Sequence, residues 1–149
     1  MQYPIFSDEY YMNEALKEAL KAFEKNEVPV GAVVVINNRI IARSYNMAEE
    51  LNDVTAHAEM LAITSASNNL GSKYLTDCSL YVTLEPCAMC VSAMRWAQLR
   101  KLVYGAADPK SGFQQYGAAL LHPKTEMAKG ILENECSVLL SEFFESKRK

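Results

Sequence analysis

Apolar positions along this chain follow two periods, and the switches between them lay out its elements. Met12, Ala15, Leu16, Ala19, Leu20 and Phe23 form the i, i+3, i+4, i+7 stripe of one helix face. Ser7 precedes that stripe as a cap whose hydroxyl can accept a free backbone N–H, and Asp8 and Glu9 suit the positive end of the helix dipole. The period then shortens. Val30 to Ile36 is a β-branched run, Asn37-Asn38 tolerates the positive φ of a tight turn, and Arg39 to Tyr45 returns as a second strand. Asn46 to Val54 is polar and loop-like, and Thr55 is placed to cap a second helix from about Ala56 to Asn69, closed by Gly71. Ser79 to Leu84 reads as a third strand and Pro86 as a first-turn proline. The helix that follows covers roughly Cys87 to Leu99, and Leu102 to Tyr104 is a fourth strand. After an irregular stretch, Ile131 to Phe144 forms a last helix, with Ile131, Cys136, Leu139, Leu140 and Phe143 on one face. Helix, hairpin and then alternating helix and strand predict an α/β sandwich layered over a mixed sheet.

Composition narrows the class without changing that outline. With 149 residues, half of them hydrophobic, and only 6 Gly and 5 Pro, the chain is expected to form one domain over 1–149 with a proper core. No apolar run approaches the roughly 20 residues of a membrane span. Met1 to Asp8 lacks the basic and apolar regions of an export signal, so a soluble cytoplasmic protein with no membrane partner is expected. A net charge of −3 argues against general coating of nucleic acid. Locally, however, Arg95, Arg100, Lys101 and Lys110 face only Asp108 between residues 91 and 115, and the chain ends Lys147-Arg148-Lys149. These charges predict a basic strip beside a pocket, and taken singly each reads equally well as a solvated helix face or a frayed tail.

Four cysteines, Cys78, Cys87, Cys90 and Cys136, are too few and too unevenly spaced for a disulfide scaffold, which leaves thiols or metal ligands. His57-Ala58-Glu59 opens the second predicted helix, and thirty residues on Pro86-Cys87-Ala88-Met89-Cys90 opens the third. Cys87 and Cys90, three apart, share a helical face, and a second helix N-terminus at the same end of the sheet would bring His57 beside them. One nitrogen and two sulfurs suit Zn²⁺ and leave a fourth position for water, with Glu59 as a base near it. Two other readings compete: a redox dithiol, and a closed structural zinc with a fourth thiolate. Cys78 is a poor fourth ligand, because the strand from Ser79 to Leu84 carries it about 20 Å from Cys87. Cys136 lies on an apolar stripe and is expected to pack, and His122 is expected in a surface loop.

These two motifs resemble those of the zinc-dependent cytidine and nucleobase deaminase superfamily. The chain as a whole is similar to the bacterial tRNA adenosine deaminases. That similarity runs through Val28-Pro29-Val30-Gly31-Ala32-Val33, Asn46, Tyr81 to Cys87, Gly105 to Gly112, Gly130 to Cys136 and Phe143-Phe144. The resemblance implies a cytidine-deaminase-like three-layer α/β/α sandwich with a mixed five-stranded sheet. It implies a homodimer whose partner chain completes an RNA site, one zinc per subunit held by His57, Cys87 and Cys90, and no organic cofactor. Glu59 would move the proton of a zinc-activated water that attacks C6 of adenine, leaving inosine at the wobble position of a tRNA anticodon stem-loop. Asn46 would bind the base with backbone from the Val28–Pro29 and Leu84–Glu85 turns, and Asp108 and Lys110 would meet the anticodon loop. Three segments depart from the pattern, one of them Lys124-Thr125-Glu126-Met127 after His122-Pro123, which lacks the Asn-His pair common in the family before the last strand. Many relatives carry arginine where Ala107 stands, and small residues where Phe113-Gln114-Gln115-Tyr116 stands. A deaminase of free guanine, cytosine or a nucleoside, and a non-catalytic zinc-stabilised binding module, are the alternatives.

Overall fold

The computed structural model describes residues 2–148. Met1, at the head of the segment read for an export signal, and Lys149, the last of the predicted basic tail, lie outside the described residues. The elements are α1 (Asp8–Glu24), β1 (Gly31–Ile36), β2 (Arg39–Tyr45), α2 (Ala58–Leu70), β3 (Ser79–Leu84), α3 (Ala88–Ala97), β4 (Lys101–Ala106), β5 (Glu126–Lys129) and α4 (Glu133–Lys147). One five-stranded sheet runs β2-β1-β3-β4-β5. β1 is antiparallel to both β2 and β3, whereas β3, β4 and β5 are parallel, so the sheet is mixed as expected.

Strand alternation sorts the side chains into two cores. Ala32, Val34, Leu80, Val82, Leu102 and Tyr104 face α2 and α3, where they meet Ala58, Ala62, Ala66, Val91 and Met94. Val33, Val35, Tyr81 and Val103 face the other way, onto Tyr11, Met12 and Ala15 of α1 and Cys136 of α4. Helical layers therefore cover both faces, giving the three-layer sandwich. The hairpin turns at Asn37 and Asn38 with φ of 50° and 63°, the double positive φ of a primed turn. Ser7 caps α1 by accepting the N–H of Tyr10 at 3.1 Å.

Several expectations need correction. Leu20, placed on the apolar stripe of α1, is half exposed, and the buried set is Tyr11, Met12, Ala15, Ala19 and Ala22 with the carboxylate of Glu18. Where that helix crosses Gly31 of β1 it passes close enough that Ala15 and Ala19 are the residues that fit, while Glu18 is paired with Arg43 at 3.2 Å and Lys21 at 2.9 Å. Thr55 does not cap α2. Its N–H and hydroxyl both donate to Asp53, and the helix begins beyond His57, which occupies the cap position. Pro86 likewise precedes α3 rather than entering it, with Cys87 at the cap position, and the helix stops at Gln98 in the left-handed conformation. The last helix starts two residues later than expected and runs to Lys147. β5 was not legible in the apolar pattern, because a four-residue edge strand reading Glu-Met-Ala-Lys is largely exposed and pairs on one side only.

α1 passes closely over Gly31, where a methyl group would overlap the Ala15 carbonyl oxygen and the Ala19 nitrogen. Backbone on both sides leaves nothing flexible to yield. Gly31→Ala is expected to lower stability by on the order of 1–3 kcal/mol, read as a lower urea midpoint at unchanged slope. An unchanged midpoint would contradict this packing.

Candidate active site

α2 and α3 both start at the same end of the sheet, beside the carboxyl ends of β3 and β4. Their cap residues, His57 and Cys87, therefore meet, and Cys90 joins them from the first turn of α3. His57 Nδ1 lies 3.6 Å from Cys87 Sγ and 3.5 Å from Cys90 Sγ, and the two sulfurs are 3.8 Å apart. Zinc–sulfur bonds of about 2.3 Å and zinc–nitrogen bonds of about 2.0–2.1 Å, at tetrahedral angles, require sulfurs about 3.8 Å apart and nitrogen–sulfur separations of about 3.6 Å. The donor set fits that ion in chemistry and in spacing. Among the described residues, these three form the grouping of metal-ligating side chains, and Glu59 is not part of it.

Three titrating groups at this point influence one another. Cys87 is pulled down to about 4, first by the hydrogen bond from Cys90 and then by His57. Cys90 is pushed far up as the partner that keeps its proton, and His57 is raised, chiefly by its contact with Cys87. Glu59, buried at 4% exposure, is pushed up to about 7 by burial. A carboxyl held there can exchange protons near neutral pH.

His57, Glu59 and Cys87 open into a cavity of about 210 Å³ whose wall includes Val28, Asn46, Leu84, Glu85 and Asp108. Most of the residues predicted for substrate thus meet in one place. Pro29 is buried and lies outside that wall, and Lys110 lies just beyond it. The N–H of Glu85 is already engaged by the Ala106 carbonyl at 2.7 Å. Next to the cavity, and sharing Val28, Leu84, Asp108 and Ser111 with it, is a groove of about 650 Å³. Lys110, Phe144, Lys147 and Arg148 line it.

The predicted basic strip does not form. Arg100 precedes and Lys101 starts β4, at the far end of the sheet, where Arg100 faces Glu126 at 3.5 Å and Lys101 faces Asp8 at 3.3 Å. Arg95 donates to the carbonyls of Ala119 and Leu121. Only Lys110 of that set reaches the groove, where the C-terminal turn of α4 supplies the other cations. Sequence reasoning counted Lys147-Arg148-Lys149 among the basic charges with a frayed tail as the alternative, but did not place them on a helical turn, for which the signal is Phe144 preceding Lys147-Arg148 by one turn. It also missed the side chains of Glu27 and Glu85. Glu27, 1% exposed, accepts the N–H groups of Glu49 and Glu50 and so holds the loop that carries Asn46. Cys78 and Cys136 are buried free thiols in the two cores, and His122 lies in a loop, as expected.

Residues 6–106 match the cytidine and deoxycytidylate deaminase zinc-binding region. The chain is 49% identical to a tRNA-specific adenosine deaminase of Bacillus subtilis over 95% of its length and 91% of that protein's. A solved structure from a study of A-to-I editing by tRNA:A34 deaminases at the wobble position of transfer RNA superimposes with a TM-score of 0.82. That structure is 44% identical and covers 88% of this chain and 99% of its own. A guanine deaminase of Bacillus subtilis, 38% identical, matches 68% of this chain and 65% of its own, with a TM-score of 0.65.

Because thiol ligands must lose their protons to bind a metal, zinc uptake should release at least one proton per ion and weaken as pH falls. Calorimetric titrations of the metal-free protein in buffers of different ionisation heat measure this, and zinc binding without proton release would remove Cys90 from the ligand set.

Proposed function

We infer the reaction from the premise that this chain belongs to the cytidine and deoxycytidylate deaminase family, and within it to the tRNA adenosine deaminases: it converts adenosine to inosine in tRNA, at the wobble position. His57, Cys87 and Cys90 hold zinc. When bound, the ion lowers the pKa of a water toward neutrality and so supplies the nucleophile. Glu59 would take one proton from the attacking water and place it on the ring nitrogen beside C6, then carry the remaining hydroxyl proton to the amino group, which leaves as ammonia. Its burial against His57 and Cys87 suits both halves of that exchange. Asn46 orients the base within the cavity, and Val28 and Leu84 flank it with apolar surface. A cavity of about 210 Å³ accepts a single base, so the target nucleotide must be turned out of its loop to enter.

The observation that carries the RNA substrate is the adjoining groove. Cations at Lys110, Lys147 and Arg148 beside the ring of Phe144 offer phosphate contacts and a stacking surface, the combination that reads unpaired RNA. A free base needs none of it. Identity points the same way: 49% to the tRNA-specific adenosine deaminase of Bacillus subtilis over 95% of this chain, against 38% to that organism's guanine deaminase over 68%. The anticodon stem-loop is the substrate element, met in the cytoplasm, and the active form is a homodimer. Trp96 on α3, 81% exposed beside Tyr74, is apolar surface that a second copy would cover.

Deamination of an anticodon stem-loop is measured beside free guanine, cytosine and adenosine. Inosine is expected in the stem-loop alone, and turnover of a free base alone would move the protein to the other substrate class. Glu59→Ala should keep its zinc and lose about 10²–10⁴-fold in rate, and a normal rate would end the proton-shuttle assignment. Lys110→Ala should keep its zinc, weaken RNA binding and reduce the slope of log K against log salt by about 0.7–1. An unchanged slope would take Lys110 off the RNA surface.

A further inference from the structure

Glu85 is a carboxylate that the reaction does not use, yet the fold buries it to 6% exposure in the cavity wall. Both oxygens are committed to the backbone of the loop after β4. Oε1 accepts the N–H of Asp108 at 3.0 Å and Oε2 that of Gln114 at 2.9 Å. Among the described residues, no cation pairs with it. The loop has closed around this carboxylate, since a methyl group at Gly112 would overlap it. The other ties between the loop and the metal-ligand turn are backbone. Phe113 donates to the Pro86 carbonyl at 2.9 Å, and Gly112 bridges Cys87.

Asp108 continues the chain of contacts outward. Its Oδ1 accepts the N–H groups of Lys110 at 3.2 Å and Ser111 at 3.1 Å, fixing the tip of the loop. A line of hydrogen bonds therefore runs from the residue preceding Pro86-Cys87, through the Glu85 carboxylate, to Asp108 and Lys110. Burying an unpaired carboxylate is costly, and an apolar side chain of similar size would fill the space without that cost. What an apolar residue cannot do is hold two backbone N–H groups of a surface loop at a set distance from the metal ligands.

We propose that Glu85 is a positioning residue for the RNA substrate, its carboxylate holding Asp108 and Lys110 in register with Glu59. This rests on the tRNA reading above. An RNA loop gripped at its backbone presents its target base to the cavity only if grip and cavity keep a fixed separation. Glu85 is the side chain that spans the two.

The test uses the full-length, zinc-loaded protein. Glu85→Gln keeps the shape and one carbonyl acceptor but turns an amide N–H₂ toward a backbone N–H. The amides of Asp108 and Gln114 should then exchange hydrogen at least about tenfold faster, while zinc content and the amides of α2 and α3 are unchanged. The kcat/KM for the anticodon stem-loop should fall about tenfold or more, with the loss mainly in KM. Adding Lys110→Ala should cost less in that background than in the wild type, because a displaced lysine has less to lose. Glu85→Asp, which keeps the charge but falls one methylene short of both N–H groups, should reproduce the pattern if Glu85→Gln folds poorly. Unchanged exchange at Asp108 and Gln114 would overturn the proposal. So would a loss confined to kcat and accompanied by loss of zinc, or an undiminished cost of Lys110→Ala. A wild-type protein that leaves the stem-loop unmodified overturns the tRNA reading itself, a result obtained before any substitution and independent of the exchange rates.

Discussion

The coincidence of two helix starts at one end of the sheet is the constraint on which the rest of this structure depends. Three side chains from α2 and α3 must bring a nitrogen and two sulfurs to within 3.5–3.8 Å of one another. No local sequence preference can arrange that across thirty residues. It follows from topology: β1 and β3 are neighbours, α2 crosses back over β1 and β2, and α3 returns from β3 to its parallel neighbour β4. The site then falls where ligand sites fall in open α/β sheets, outside the carboxyl ends of parallel strands and next to the point where strand direction changes. Both helix N-termini point their unpaired N–H groups into it, and that field favours thiolate over thiol.

Four buried glutamates show how the partner, rather than burial, decides what a carboxylate does. Glu18 meets Arg43 and Lys21 and ties α1 to β2. Glu27 and Glu85 meet pairs of backbone N–H groups and hold the loops on either side of the cavity, one carrying Asn46 and the other Asp108. Glu59 is the exception: burial raises it to about 7 instead of being offset. A carboxyl left in that state can exchange protons near neutral pH, whereas its counterparts hold a side chain or a stretch of backbone in place.

How much of this was legible in the sequence depended on whether a signal was local. The first four strands, the Asn37-Asn38 turn, the Ser7 cap and the metal-ligand spacing are all written within a few residues, and each was found. The two cap positions were misassigned because Thr55 and Pro86 carry the usual helix-start chemistry, while His57 and Cys87 hold those places for a reason no propensity encodes. Leu20 was placed in the core because periodicity gives a stripe without its width. The narrow gap over Gly31 is a tertiary fact. β5 escaped notice since an exposed edge strand needs no apolar pattern. The basic strip failed for the opposite reason: charges adjacent in sequence were dealt to opposite ends of β4 and to the α3 flank, and those at the groove came from the far end of the chain.

The same distinction governs which parts of the site can vary. The metal ligands and Glu59 sit at the starts of helices that the sheet fixes, so a change there disturbs the chemistry itself. The loop after β4 is held by side chains, and it carries Ala107 and Phe113 to Tyr116, two of the three segments expected to differ from the family pattern. Phe113 has turned inward, packing edge-on against Tyr104 with ring centroids 6.3 Å apart, and it anchors the loop from below while Glu85 holds its backbone from the side. Ala107, exposed in the groove wall, leaves room where a longer side chain would stand, and there the cations come from Lys110, Lys147 and Arg148. A fold built this way can exchange one substrate class for another by remodelling a loop and a terminal helix turn, with no adjustment to the three donors that hold the metal.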